Sequence, residues 1–245
     1  MDSYRDRIVL VTGGNSGIGK AFVARFVAAG AKVIACGRNE ATLQALKAAH
    51  PGVEAKRCDI ASHPERHALV EWVSQQCGRL DVLVNNAGVM EQVDVLSANV
   101  DDAAITREIA INLTAPIMLT RQSLPLLKRG TQPLILMVTS GYALLPARRA
   151  PTYSATKAGL RAFTQALRYQ LENTGIRVVE ILPPLVDTPV TAAIQKPKMS
   201  PEAVVEATLR AIARGQDEVL IGQVRLLPLL MRIAPRYAAR LVAKS

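Results

Sequence analysis

Short apolar runs alternate with amphipathic stretches along most of the chain. Ile8 to Val11, Val33 to Ala35, Val82 to Val84, Leu134 to Val138, Val178 to Leu182 and Val219 to Ile221 read as strands almost without polar alternation, and Val53 to Cys58 is a further candidate. Helical patterns run from Ile18 to Ala29, from Glu40 to Ala49, from Glu65 to Cys77 and from Tyr153 to Leu171. Strands that are apolar on both faces belong to a parallel sheet covered on both sides, because a half-exposed strand would alternate. Helices between them supply the crossovers. The pattern predicts an α/β fold: one doubly wound domain over residues 1–245, with a parallel seven-stranded sheet and helices on both faces. No linker, low-complexity tract or solenoid repeat interrupts it.

The irregular segments 87–100, 141–152 and 183–200 follow the fourth, fifth and sixth strands. In an open α/β sheet, ligands bind at that carboxyl edge. Gly13, Asn15, Ser16, Gly17, Ile18 and Gly19 lie between the first strand and first helix. Glycines there permit a tight turn, and the helix start offers free N–H groups to a pyrophosphate. A glycine-rich turn without a ligand is the plain alternative. An NAD site usually carries an acidic residue after the second strand, but here Gly37-Arg38-Asn39 stands in its place. Arg38 suits a 2′-phosphate, so the cofactor reads as NADP (NADPH) rather than NAD. A solvated arginine beside the next helix is the competing reading. Asp59 and Ile60 follow the third strand, where Asp59 can accept from an adenine amine or cap a turn. Asn85-Asn86-Ala87-Gly88 ends the fourth strand, where the amides can bridge strands and hold a ribose, or form an Asx turn.

Tyr153 and Lys157 stand at i and i+4 on one helix, on a shared face. A neighbouring ammonium favours the phenolate, which would bring the phenol's pKa down toward neutral pH and suit it to exchange a proton with a carbonyl/alcohol pair. Ser140 ends the fifth strand, where its hydroxyl can bond a substrate oxygen. Asn112 is a polar residue in an apolar helical pattern, and helix packing is its alternative role.

Together these motifs resemble the short-chain dehydrogenase/reductase family in its compact, Rossmann-fold branch. The resemblance covers about residues 5–190: the glycine turn from Thr12 to Gly19, the Asn85 to Gly88 motif, and Ser140 at the family's interval of 13 before Tyr153 (153 − 140). It implies Tyr153 as general acid/base and Lys157 as the group that tunes Tyr153 and bonds the nicotinamide ribose. It implies Ser140 as the carbonyl-orienting hydroxyl and Asn112 as the holder of a relay water. Pro183, Val186 and Thr188 match positions at the carboxamide, although the family's usual Pro-Gly is Pro183-Pro184 here. That Pro-Pro form resembles a subgroup of bacterial oxidoreductases associated with lipoteichoic-acid D-alanylation operons. The implied activity is NADP-dependent hydride transfer between nicotinamide and a small-molecule carbonyl or alcohol substrate, in a homo-oligomer (dimer or tetramer). A non-enzymatic NADP-binding sensor or scaffold is the alternative, and the complete Asn112, Ser140, Tyr153 and Lys157 set argues against it. Candidate substrate walls are Val89 to Val93, Tyr142 to Pro146 and Val190 to Ile194. Arg148 and Arg149 stand nearby for an acidic group, or as part of a solvated loop.

Composition is that of an ordinary globular chain, 49% hydrophobic and 20% charged. Cys36, Cys58 and Cys77 make no even disulfide framework and match no tetrahedral metal spacing, and a cytoplasmic location follows. His63 and His67 lack a third ligand, so no metal site is expected. The N-terminal residues form no secretion signal, and no apolar run reaches the roughly 20 residues that span a bilayer. The net charge of +10 is partly local: after Glu218 there is no acid, while Arg225, Arg232, Arg236, Arg240 and Lys244 are basic. With aromatics at 4%, this charge does not point to nucleic acid. The 223–245 tail reads as an amphipathic basic helix interrupted by Pro228 and Pro235. It is expected to pack on its own protein, with a weak membrane-surface contact or a subunit partner as alternatives.

Overall fold

In the computed structural model, which describes residues 4–91, 94–95 and 101–243, the first apolar run becomes strand β1 (Ile8–Thr12), buried along its whole length. Its period of two sets the layers: Val9 and Val11 join one core, Ile8 and Leu10 the other. The further strands are β2 (Lys32–Gly37), β3 (Glu54–Arg57), β4 (Val82–Asn85), β5 (Leu134–Val138), β6 (Arg177–Leu182) and β7 (Glu218–Leu220). All pair in parallel, in the order β3-β2-β1-β4-β5-β6-β7. Val9 sits beside Val33 on one side and Val82 on the other. The order therefore reverses between β1 and β4, which opens a crevice at their carboxyl ends.

Helices α1 (Gly17–Ala28), α2 (Glu40–Ala49) and α7 (Pro201–Ala213) cover the Val9 face through Phe22, Phe26, Leu46, Val204 and Val205. On the Ile8 face lie α3 (His63–Cys77), α5 (Ala115–Leu127) and α6 (Pro151–Leu171), through Leu69, Val73, Leu119, Leu127, Leu160 and Leu167. The sheet is the seven-stranded, doubly wound one expected. Strand β3 is shorter than the run Val53 to Cys58, and none of its residues is fully buried, as befits an edge strand. Helix α6 begins at Pro151 rather than Tyr153, since proline suits a first helical turn.

Helix α4 (Asp102–Ile109) runs into α5 through a π-turn at Ala110–Thr114. The wider turn falls on Asn112, and such bulges often mark functional sites. The tail forms two helices, α8 (Leu227–Ile233) and α9 (Pro235–Ala243), parted at Ala234 because a residue before proline leaves the helical region. Ala238 and Val242 pack with Leu145, Tyr142, Leu227, Leu230 and Met231, so one face does lie on the protein itself. Lys244 falls outside the described residues. Among the described residues no helix is long and apolar enough to cross a membrane, and no His/Cys/Asp/Glu group could hold a metal ion.

Candidate active site

The ends of β1 and β4 are tied together at the crevice. Thr12 Oγ1 accepts from the N–H groups of Asn86 and Ala87 at 3.0 and 3.1 Å, and Asn86 Nδ2 donates to the Thr12 carbonyl at 2.9 Å. The amide bridge between strands is thus made by Asn86. Asn85 turns into the core instead, donating to Thr120 Oγ1 at 3.0 Å. Glycine is required where the turn folds on itself: a Cβ at Gly19 would stand 2.1 Å from the Gly13 carbonyl oxygen. Gly13 and Gly17 adopt φ of +63° and +49°, and a Cβ at Gly17 would meet Thr188 at 2.8 Å. Ser16 leaves the start of α1 without a side-chain cap, and no acid stands in its first turn. Unsatisfied N–H groups and the helix dipole therefore face the crevice, a donor set that fits a pyrophosphate.

Asn15 reaches across to donate to Thr42 Oγ1 at 2.6 Å, and a Cβ at Gly37 would lie 2.2 Å from Asn15 Oδ1. Gly37 is thus a site residue that sequence reading passed over. Arg38 is exposed at the rim, beside Asn15 and Gly37. Asp59 lines the same end together with Ile60. Its carboxylate accepts from Arg107 Nη2 at 2.7 Å and from the Ala61 N–H at 3.0 Å. Partial burial works against the charge, yet these two bonds hold the carboxyl below its usual value.

Ser140, Tyr153 and Lys157 line the opposite end of the crevice, below Gly88. The Ser140 hydroxyl accepts from the Tyr142 N–H at 3.1 Å and acts on the Tyr153 phenol beside it. Lys157 Nζ donates to the Val138 carbonyl at 2.9 Å and stands 5.6 Å from the Tyr153 ring centre. A Cβ on Gly88 would approach Asn112 Oδ1 at 3.2 Å and Lys157 Nζ at 3.6 Å, so this glycine lets those two side chains come close to the loop. Burial pushes the Tyr153 phenol up to about 12, opposed by the neighbouring Ser140 hydroxyl, and pushes the Lys157 ammonium down to about 8. The downward shift expected for Tyr153 is thus reversed: desolvation outweighs its neighbours, and Lys157 turns to the Val138 carbonyl instead. Asn112 does not line the crevice. Its side chain accepts from the Val89 N–H at 2.9 Å and donates to the Val89 carbonyl at 2.8 Å, which engages both polar ends on the loop after β4.

Sequence reading also passed over Glu108, one turn before Asn112. It is fully buried, and Oε1 accepts from the Glu91 N–H at 2.9 Å. An acid four residues ahead of a polar residue in an apolar pattern was the available signal.

Pro183, Val186 and Thr188 form the remaining wall, with Thr191 behind them. The Pro183 carbonyl accepts from the Gly141 N–H at 3.1 Å, and Pro184 lies where a Cβ on Gly222 would meet it at 3.3 Å. The second proline thus packs on the start of the tail segment. Of the expected substrate walls, Val89 and Val190 line the crevice, while Tyr142 sets its ring edge-on to Tyr153 at 6.3 Å. Val93 lies outside the described residues. Arg148 and Arg149 do not line the crevice; Arg149 Nη2 is buried without a partner among the described residues.

The whole crevice encloses about 480 Å³ and runs from Arg38 to Tyr153. A family model described as short chain dehydrogenase matches residues 7–199. The Bacillus subtilis (strain 168) protein named "Uncharacterized oxidoreductase DltE" is 36% identical over 217 residues, 86% of each chain. Two solved structures share the fold. A short chain dehydrogenase from Burkholderia cenocepacia J2315 in complex with NADP has a TM-score of 0.86 at 24% identity, over 97% of this chain and 98% of that one. A short chain dehydrogenase/reductase from Burkholderia phymatum in complex with NAD has a TM-score of 0.83 at 20% identity, over 95% and 96%. With the reversal of strand order, the glycine turn and the Ser140, Tyr153 and Lys157 cluster all in one crevice, the chain belongs to the short-chain dehydrogenase family of NAD(P)-dependent oxidoreductases.

Proposed function

We propose that this protein is an NADP-dependent oxidoreductase interconverting a small carbonyl compound and its alcohol, with Tyr153 as the general acid/base. The observation that carries the reading is the convergence of Ser140, Tyr153 and Lys157 on the end of the crevice opposite Arg38. Bound NADPH supplies the hydride. The residues do the rest. The N–H groups from Asn15 to Gly19 bind the pyrophosphate, and Arg38 meets the 2′-phosphate by charge-assisted bonds. The Asp59 carboxylate and Ile60 border the adenine. Asn86, Ala87 and Gly88 pass behind the ribose, while Pro183, Val186 and Thr188 border the carboxamide. Ser140 donates to the substrate oxygen. Tyr153, a phenol at neutral pH because burial disfavours its anion, gives its proton to that oxygen as the carbonyl carbon is reduced. The Lys157 ammonium then favours the phenolate left behind. Asn112 serves through the loop it grips at Val89.

Of the two solved relatives, one holds NADP and the other NAD, so the choice of NADP rests on Arg38 alone. Assembly as a homo-oligomer is part of the same reading, supported by Met118 and Tyr169, which are exposed on the long helices α5 and α6; sedimentation velocity reads it, and a monomer at working concentration overturns it. A weak contact with an anionic membrane surface is supported by the tail. Leu226, Leu229, Ile233, Tyr237 and Leu241 are each at least half exposed, among Arg225, Arg232, Arg236 and Arg240 and with no acid nearby in sequence.

Replacing Tyr153 by Phe tests the central claim. With a carbonyl panel followed by NADPH absorbance, turnover is expected to fall by about 100-fold or more, the usual share of a general acid, with NADPH binding retained. Turnover equal to that of the parent protein rejects the assignment. NADPH binding with no turnover on any carbonyl by the parent protein favours a sensor or scaffold.

A further inference from the structure

Past its first residue, β6 is apolar except for Glu180, which is fully buried. Both of its carboxylate oxygens are engaged. Oε1 accepts from Thr139 Oγ1 at 2.8 Å, and Oε2 pairs with Arg161 Nη1 on α6 at 2.6 Å. Arg161 turns its other nitrogen to Glu218 Oε1 on β7 at 2.8 Å. Thr139 immediately precedes Ser140, and Arg161 stands four residues after Lys157 on α6. Lys157 itself donates to the Val138 carbonyl at 2.9 Å. Two rungs therefore join the carboxyl end of β5 to α6, one through Lys157 and one through Glu180. Stability is a poor account of the second rung. Desolvation of two buried charges offsets their attraction, and an apolar pair of similar volume is often at least as stable. Here burial does raise the Glu180 carboxyl from its ordinary value, opposed first by Arg161. Helix α6 is also fastened elsewhere: Arg168 donates to the Val178 and Asp217 carbonyls at 3.2 and 3.0 Å, at the end of β6 away from the crevice.

We propose that Glu180 is a positioning residue of the active site: by holding the Thr139 hydroxyl and the Arg161 guanidinium together, it fixes Ser140 at the end of β5 against Tyr153 and Lys157 on α6. The inference rests on the oxidoreductase reading above. In that reading Ser140 and Tyr153 must reach the same substrate oxygen. They come from different elements, so the placement of α6 against β5 decides whether they do. Apolar contact between the two is non-directional and tolerates small slips, whereas the bonds to the carboxylate prefer one distance and angle. Glu180 does not line the crevice and acts only through Thr139 and Arg161.

The test sets kcat for NADPH-dependent carbonyl reduction against the Kd of NADPH, read by fluorescence titration, and the melting temperature. The first variant replaces the pair by apolar residues, Glu180→Leu with Arg161→Met; Thr139 then keeps the Ile181 carbonyl, at 3.1 Å, as its acceptor. It is expected to melt near the parent's temperature and to bind NADPH as tightly, with kcat down by about 10-fold to 100-fold, the scale of loss when reacting groups are misplaced by about 1 Å. Thr139→Val cuts the same chain of bonds at its other end and should lower kcat likewise, while Thr139→Ser keeps the hydroxyl and the parent's kcat. Arg168→Met is the control for a loosened helix: it should lower the melting temperature and leave kcat unchanged. Parent-like kcat in the folded double variant overturns the proposal, as does a fall in Arg168→Met as large as in the double variant. Should the double variant not fold, Thr139→Val against Thr139→Ser decides, and equal kcat in the two overturns it. A parent protein that turns over no carbonyl defeats the oxidoreductase reading itself, a result separate from an unmoved kcat.

Discussion

Replacing Lys157 by Met is expected to stabilise the cofactor-free protein while destroying its activity. The ammonium is 3% exposed, and burial moves it from 10.5 down to about 8. Each unit of displacement corresponds to about 1.4 kcal/mol, so holding the charge inside the fold costs about 3 kcal/mol below pH 8. Methionine keeps most of the stem but strips the Val138 carbonyl of its donor, a loss of about 1 kcal/mol. The net gain near pH 7 is about 2 kcal/mol. The sign follows from proton counts. A base whose pKa is lower in the folded state binds fewer protons there than in the unfolded chain. Between about pH 8 and pH 10.5 the parent protein therefore gains stability with rising pH, by about 1.4 kcal/mol per unit, and the variant lacks this contribution. Urea unfolding followed by far-UV circular dichroism, at intervals from pH 7 to pH 10, measures the difference between the two proteins. The advantage of Lys157→Met should be largest at pH 7 and close to zero near pH 10. A variant less stable than the parent at pH 7, or an advantage that does not change with pH, refutes the reasoning. Background titrations, including that of Tyr153, largely cancel in the comparison.

Two further outcomes are expected. Arg38→Asp should lower the NADPH-to-NADH ratio of kcat/KM by about 10-fold to 100-fold, because charge-assisted bonds of about 1.5–3 kcal/mol are lost and a carboxylate is placed beside the ribose; an unchanged ratio shows that Arg38 does not read the 2′-phosphate. The protein should float with vesicles rich in anionic lipid more than with zwitterionic ones, and a chain lacking residues 223–245, or one carrying Leu229→Asp and Ile233→Asp, should lose the difference; equal partitioning of parent and variants removes the membrane contact.

Much of this architecture was legible because it depends on short-range rules. Ile8 to Val11 read as a strand buried on both faces because it carries no polar alternation, and it is buried throughout. The turn from Gly13 to Gly19 was recognisable because the chain folds back on itself there, leaving no room for a Cβ at Gly19 against the Gly13 carbonyl. Tyr153 and Lys157 shared a face because helix geometry places i and i+4 together. Other features were not readable. The direction of the Tyr153 shift was misjudged, because spacing along a helix says nothing of how deeply the helix is buried. Glu108 was missed for the same reason: it is buried only in the fold, where it holds the Glu91 N–H of the loop after β4. Asn112 was found as a residue, but its partner Val89 and the π-turn that aims it appeared only in the fold.

By itself, then, the amino-acid order determined the strands, the helices α1, α2, α3 and α6, the glycine cradle and which side chains are candidates for the chemistry, since periodicity and the steric needs of glycine act over a few neighbouring residues. The tertiary structure alone decided which groups are charged and what each one holds. Desolvation and charge pairing are properties of a whole neighbourhood, assembled here from β4, β5, α4 and α6, and no stretch of chain contains them.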